Sequence, residues 1–210
     1  MLGIHDFPLF VVSGILLNIT PGQDTMYILG RSMAQGNKAG VVSVLGIMAG
    51  IMVHTVMAAL GLSVILATSS LAFAVVKFAG AAYLIWIGIG FLRTRRENAD
   101  GSPFPQTAPD LKQIFRQGML TNVLNPKVAL FFLSFLPQFV SVQTQMVFLP
   151  FLLLGLVFLT TCGLWCLVLV YGAAGLSTFF RHRSRAGWLL KKLSGLLFVG
   201  LGIRLAFSRH

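Results

Sequence analysis

The chain has 210 residues, 56% of them hydrophobic and 10% charged, with a formal net charge of +11. A soluble domain carries about 25% charged residues, so the composition excludes an ordinary soluble enzyme and points to lipid. The basic residues fall between apolar runs and form no patch on a polar module, which removes nucleic acid as a partner.

Apolar runs near the length of a membrane helix recur along the chain, because a hydrocarbon core of about 30 Å asks for about 20 residues. They predict an all-α membrane protein with six transmembrane helices in a single domain over residues 1–210. No basic n-region or small-residue cleavage site precedes the first run, so a cleaved leader is not expected.

The first span, Leu9 to Leu29, contains Asn18-Ile-Thr20-Pro21-Gly22-Gln23-Asp24-Thr25. Proline removes a backbone donor and clashes with the preceding turn. Glycine lets the chain leave helical geometry. Freed backbone groups are tolerated at membrane depth only against protein or a watery cavity. The polar residues Asn18, Thr20, Gln23 and Asp24 favour the cavity. An acid inside a span usually marks a pathway, a proton relay or an ion pair.

The second span runs from Val41 to about Ala67, with His54 its only ionisable residue, and holds the close-packing pattern Gly46-x-x-x-Gly50. The third, Ala72 to Leu92, has Lys77 near its start. A polar, Pro-rich segment follows, and Asp110 with Gln113 three residues on marks a helix start. Leu111, Ile114, Phe115 and Met119 share a face, which predicts a short interfacial helix before span four.

The fourth span, Met119 to Val140, carries Asn122 and Asn125-Pro126-Lys127. The fifth, Val147 to Ala173, has no charge. Its Cys162 and Cys166 share a helix face, a poor place for a disulfide. With no His, Asp or Glu nearby in sequence they read as small buried hydrophobes. The sixth, Trp188 to Phe207, is cut by Lys191, Lys192 and Arg204, which can snorkel. Tyr83, Trp86, Trp165 and Trp188 read as interface anchors or core. No residue set suggests a cofactor or a metal.

Twelve Lys and Arg lie in loops one–two, three–four and five–six, against Arg204 and Arg209 on the other side. The positive-inside rule places the twelve in the cytoplasm and both termini outside; a re-entrant first segment would put the N-terminus inside. The halves also echo one another. Gly14, Asn18 and Pro21 recur in order as Gly118, Asn122 and Pro126, and Lys77-x-x-Gly80-x-x-Tyr83 as Lys192-x-x-Gly195-x-x-Phe198. Three spans per repeat give opposite orientations, the 3+3 inverted plan of many secondary transporters. Repeat one covers about 1–93, the cytoplasmic loop and interfacial helix about 94–118, and repeat two about 119–210. Helices 1 and 4 are the ones broken at proline.

At 1.5 Å per residue, Asp24 falls about 22 Å from the outer surface and Lys127 about 12 Å from the inner one. Both then occupy the inner half and are expected to face one cavity, attracting each other directly or through water. Structural alternatives exist for each feature: prolines that only kink packed helices, an ion pair that only holds the bundle, a His54 that only bonds a carbonyl, a Lys77 that only snorkels.

The stretches N-I-T-P-G-Q-D-T-M-Y-I-L-G-R-S-M-A-Q-G-N-K-A-G, K-F-A-G-A-A-Y-L-I-W-I-G-I-G and G-M-L-T-N-V-L-N-P-K-V-A-L-F-F-L-S-F-L-P-Q-F-V resemble the motifs of the LysE/RhtB family of amino-acid exporters, in matching order over nearly the whole chain. One departure is Gln23, where the family commonly has a second proline. The resemblance implies a secondary transporter of the bacterial inner membrane, not an enzyme. It would export threonine-, homoserine- or leucine-type amino acids or close derivatives, most plausibly against protons. Asp24 would take the substrate ammonium. Lys127, with the N–H groups where span four restarts, would take the carboxylate. Asn18, Thr20, Pro21, Gly22, Gln23, Asn122, Asn125 and Pro126 would complete the site, and Asp24 or His54 would carry the proton. A cation exporter is disfavoured because one Asp beside a Lys is a poor cage. A passive assembly protein has no need of paired broken spans. The partners expected are the substrate and the bilayer, and the glycine motifs serve internal contacts or a homo-oligomer equally.

Overall fold

The computed structural model describes residues 3–62, 70–93, 110–141 and 148–173, and single positions between 192 and 207. All regular elements among them are helical. α1 runs Phe7–Ile19, with Pro8 in its first turn, where a missing N–H does no harm. Pro21 ends it. Its ring pushes Thr20 into extended geometry (φ −65, ψ 118), and Gly22 is extended too (φ −152, ψ −165).

α2 follows as Gln23–Met57 and continues into one wide π turn, Ala58–Leu62. It is not one straight rod. Gly36 sits at φ 82, ψ 175, a region open essentially to glycine. Tyr27 and Gly46 both lie against Gly118, yet nineteen residues of straight helix would separate them by about 28 Å. The chain therefore doubles back at Gly36, into arms 23–35 and 37–57. The first arm overlaps the end of the expected first span, Leu9 to Leu29, and the second arm overlaps the expected second span, whose last residues lie outside the described ones.

α3 is Ser70–Arg93. α4 is Leu111–Val123, capped by Asp110, whose Oδ1 accepts the N–H groups of Lys112 (3.0 Å) and Gln113 (3.1 Å). The helix starts where Asp110 and Gln113 predict, and it runs on to Val123. Nothing between Leu111 and Val123 breaks the helix, and Gly118 serves close packing instead: a side chain there would strike the Ser43 carbonyl. α4 packs against both arms of α2, through Tyr27 and Arg31 on one and Gly46 and Gly50 on the other. After Leu124 and Asn125 come α5, Pro126–Leu130, a π turn, Phe131–Phe135, and a tight turn, Leu136–Phe139. The two halves of this span meet at 47°. α6 is Phe148–Tyr171.

By length and composition Gln23–Gly61, which includes the turn at Gly36, and Phe148–Tyr171 are apolar enough to cross a membrane, and Leu111–Val123 with Pro126–Phe139 passes the same test only when the bent pair is taken together, as a broken span or a re-entrant loop. The core is a run of phenylalanines. Phe158 of α6 meets Phe131 (5.0 Å between ring centroids), Phe131 meets Phe135 (4.8 Å), Phe135 meets Phe139 (4.7 Å) and Phe139 meets Phe10 of α1 (5.3 Å). Beyond it residues 3–5 pair with 139–141 through an Ile4–Val140 bridge, so the start of span one and the end of span four lie on one side of the molecule.

Gly46 and Gly50 behave as the close-packing motif predicts, against Phe115, Met119 and Asn122. Across the proposed halves, Gly88 of α3 abuts Gly195, and Lys192 Nζ donates to the Leu92 carbonyl. Trp86 is exposed. The side chains of Lys77, Tyr83, Trp188, Lys191 and Arg204, the 94–109 loop and most of span six lie outside the described residues. The six-span, 3+3 arrangement is therefore described in part.

Candidate functional site

Both proline breaks arrive at one place. The 20–22 break brings Thr20 to Asp24 beside the 124–126 break, and a small cavity lies there with α6 as its far wall. It is lined by Asp24, Lys127, Asn18, Thr25, Leu17, Val128 and, from α6, Phe158, Cys162, Trp165, Cys166 and Leu169. Its volume of about 20 Å³ holds about one water molecule.

Lys127 crosses from α5 to α1. Its Nζ donates to the carbonyls of Leu17 and Thr20, each at 3.0 Å. These are carbonyls of the last α1 turn, left without a helical partner because Pro21 has no N–H and the helix stops. The cation thus completes the C-terminus of α1, where the helix dipole favours positive charge. An ammonium has three protons, so one is left for the cavity. The approach is close: a side chain at position 22 would meet Nζ at 3.2 Å, which explains why a glycine follows the proline.

Asp24 stands in the first turn of α2, where the dipole favours an acid. Its Oδ2 accepts from Asn122 Nδ2 at 2.9 Å, while its Oδ1 is buried with no hydrogen-bond partner among the described residues. Asp24 and Lys127 share the cavity and lie within electrostatic reach of each other. No direct ion pair joins them among the described residues; each is held by neutral groups instead. Both side chains open onto the one cavity.

The asparagines act as scaffold. Asn125 Oδ1 accepts the Lys127 N–H at 3.0 Å and caps α5. That N–H is therefore not exposed, which corrects the idea that the restarting helix offers free donors: Pro126 has none and Asn125 takes the next. Asn122 is fully buried, and its carbonyl oxygen lies 3.2 Å from His54 Nε2. Asn18 Nδ2 makes a 3.4 Å contact to Thr161 Oγ1 on α6. Thr20 Oγ1 donates to the Leu16 carbonyl at 2.6 Å and seals the end of α1.

Of the residues singled out from sequence, Asn18, Asp24 and Lys127 line the cavity. Thr20, Pro21 and Gly22 shape its rim, and Asn122 and Asn125 stand behind it. Gln23 and Pro126 are exposed and leave the cavity wall. Gln23 begins a helix turn whose inward position is taken by Asp24, so it adds no polar group to the chamber. His54 is one residue removed, reaching Asp24 through Asn122.

Sequence reasoning missed Thr25 and the α6 wall. Trp165 is a cavity residue, and its Nε1 is buried without a partner among the described residues. The signal that would have found these residues is their spacing: 158, 162, 165, 166 and 169 form one helical stripe.

Among the described residues the arrangement therefore offers an ammonium with two of its protons bonded, a carboxylate whose Oδ1 makes no close hydrogen bond, an indole donor and an apolar wall. These groups suit a small molecule with an ammonium, a carboxylate and an apolar side chain.

The family model for LysE type translocators matches residues 15–209. An uncharacterized membrane protein of Pseudomonas aeruginosa is 32% identical over 98% of this chain and 96% of its own length. One of Bacillus subtilis is 30% identical over 98% and 100%. A leucine efflux protein of Klebsiella pneumoniae is 27% identical over 97% and 96%. No solved structure matches the chain.

Proposed function

The chain belongs to the LysE type translocator family, and from that premise we propose that it exports neutral amino acids with apolar side chains, or close derivatives, by proton antiport. The observation that carries this reading is the unpartnered Asp24 Oδ1 in one cavity with Lys127. Asp24 takes the substrate ammonium. The third proton of Lys127 and the indole N–H of Trp165 take the carboxylate. Leu17, Val128, Phe158 and Leu169 receive the side chain, and among the described residues lining the cavity there is no further charge for a basic or acidic one. The name of the Klebsiella relative agrees with an aliphatic substrate.

The empty chamber is smaller than an amino acid, so the cycle includes an opening on each side. The phenylalanine run from Phe158 to Phe10 closes one exit. Toward Gly36 the closure is polar: Arg31 of α2 donates to Gln35 and to Gln117 of α4 while lying over the Tyr27 ring. The distribution of Lys and Arg supports a cytoplasmic Arg31 side. Substrate enters there, displaces the attraction between Asp24 and Lys127, and leaves past the phenylalanines. A proton arriving from outside neutralises Asp24, releases the ammonium group and resets the site; His54, behind Asn122, is the second candidate for that proton.

The test is growth protection and intracellular accumulation across a panel of amino acids and dipeptides, with and without the protein. Leucine, isoleucine, valine and methionine are expected to be exported. A panel in which only basic amino acids or inorganic cations move would overturn the reading.

A further inference from the structure

The substrate reading leaves four side chains of the cavity wall without a task, and two of them are thiols. Cys162 and Cys166 are one turn apart on α6, both buried, both free thiols, with sulfurs 3.7 Å apart. Both face the chamber that holds Asp24 and Lys127.

Oxidation suits them poorly. A disulfide needs Cβ atoms about 3.5–4.5 Å apart, while i,i+4 neighbours hold theirs about 5–6 Å apart. Closing the bond would unwind a turn inside an apolar helix of 24 residues. A soft metal ion demands less. With metal–thiolate bonds of about 2.3 Å, a linear sulfur–metal–sulfur unit spans about 4.6 Å. The sulfurs need only splay by about 1 Å, and the cavity gives them somewhere to go.

Ligand number narrows the ion. Among the described residues no three His, Cys, Asp or Glu side chains cluster, so tetrahedral zinc, which takes four ligands, is not served. Thiolates select Cu(I), which accepts two ligands in line. A monovalent ion on two thiolates leaves a net charge of −1; the Lys127 ammonium, within electrostatic reach of both sulfurs, offsets it, while the Asp24 carboxylate across the same cavity opposes it.

We propose that Cys162 and Cys166 form a two-coordinate site for a soft monovalent cation of the Cu(I) type, and that its occupancy blocks the export pocket. Two S–H bonds break, two S–Cu bonds form and two protons leave to water. No electrons are transferred. The blocking half rests on the substrate reading above; the binding half stands without it.

The full-length protein, purified under anaerobic reducing conditions, is titrated against Cu(I) held by bicinchoninate. One equivalent per chain is expected to move to the protein, bound at least tenfold more weakly by C162A and by C166A. A C162A/C166A double variant that keeps the equivalent, with the methionines as its ligands, overturns the site. Should either variant fail to fold, the wild type alone decides: Cu(I) is expected to slow iodoacetamide alkylation of its thiols at least tenfold, and unchanged alkylation overturns the site. In proteoliposomes, Cu(I) is expected to lower leucine efflux at least fivefold relative to the metal-free wild type. In the double variant the ratio to its own metal-free rate is expected to stay near one. One equivalent bound with efflux undiminished overturns the blocking half and leaves the site. Efflux of leucine without any Cu(I) binding overturns the site and leaves the transport reading.

Discussion

Asp24 and Lys127 show how a buried charge pair is kept ready for a third party. Each is satisfied in part by uncharged neighbours: the acid by Asn122, the amine by the two carbonyls that the end of α1 leaves over. Removing either charge has different consequences. Asp24→Asn keeps the size and the hydrogen bond to Asn122, so thermal stability in detergent is expected to stay within about 1 kcal/mol, while export falls at least tenfold. Lys127→Met strips two charge-assisted bonds worth about 1.5–3 kcal/mol each. A lower Tm is therefore expected along with lost export, and circular dichroism melts separate the two cases. Both charges were legible in the sequence because an ion in an apolar run stands out. Trp165 and the cysteines were not. In a helix without a single charged residue every face looks alike, and only the neighbour that packs on it tells which stripe looks inward.

At the scale of elements, the two breaks have one physical cause and different consequences. Pro21 forces the residue before it out of the helix and frees carbonyls, which Lys127 then gathers. Pro126 starts a helix whose first free N–H the Asn125 side chain takes. Both breaks could be read from the sequence, since proline and glycine act locally. The start of the helix Leu111–Val123 was legible from its Asp110 cap, but its end was not, because its length is set by packing against both arms of α2. Gly118→Val places a side chain against the Ser43 carbonyl and the Tyr27 ring and is expected to destabilise by about 1–3 kcal/mol, read as a lower detergent Tm. Phe131–Phe135 is a π turn, a widening frequent at functional sites, and Phe135 is fully buried in the aromatic run. On our account it belongs to the outer closure. Phe135→Ala is expected to raise passive leucine leak from proteoliposomes severalfold without a proton gradient; a tight Phe135→Ala membrane would move the closure elsewhere.

For the molecule as a whole, the pairing of residues 3–5 with 139–141 ties the start of span one to the end of span four. An inverted repeat makes this meeting natural, because equivalent broken helices would then enter the site from opposite faces. The abutment of Gly88 on Gly195 fits the same plan. The repeat and the orientation nonetheless remain proposals, resting on short sequence echoes and on the twelve-to-two distribution of Lys and Arg. Cysteine tags added in turn at residue 100 and at the C-terminus of a Cys162→Ala/Cys166→Ala background check the orientation. An impermeant maleimide applied to intact cells is expected to label the C-terminal tag and spare the loop, and the opposite pattern would invert the topology.

The most direct measurement is leucine efflux from proteoliposomes under an inward proton gradient, with wild-type protein and Asp24→Asn reconstituted at equal density. The wild type is expected to respond to the gradient, and the variant to lose both the response and at least nine-tenths of the rate. Efflux that persists undiminished in Asp24→Asn, with its dependence on the gradient intact, would contradict the claim that this carboxylate receives the substrate's ammonium group.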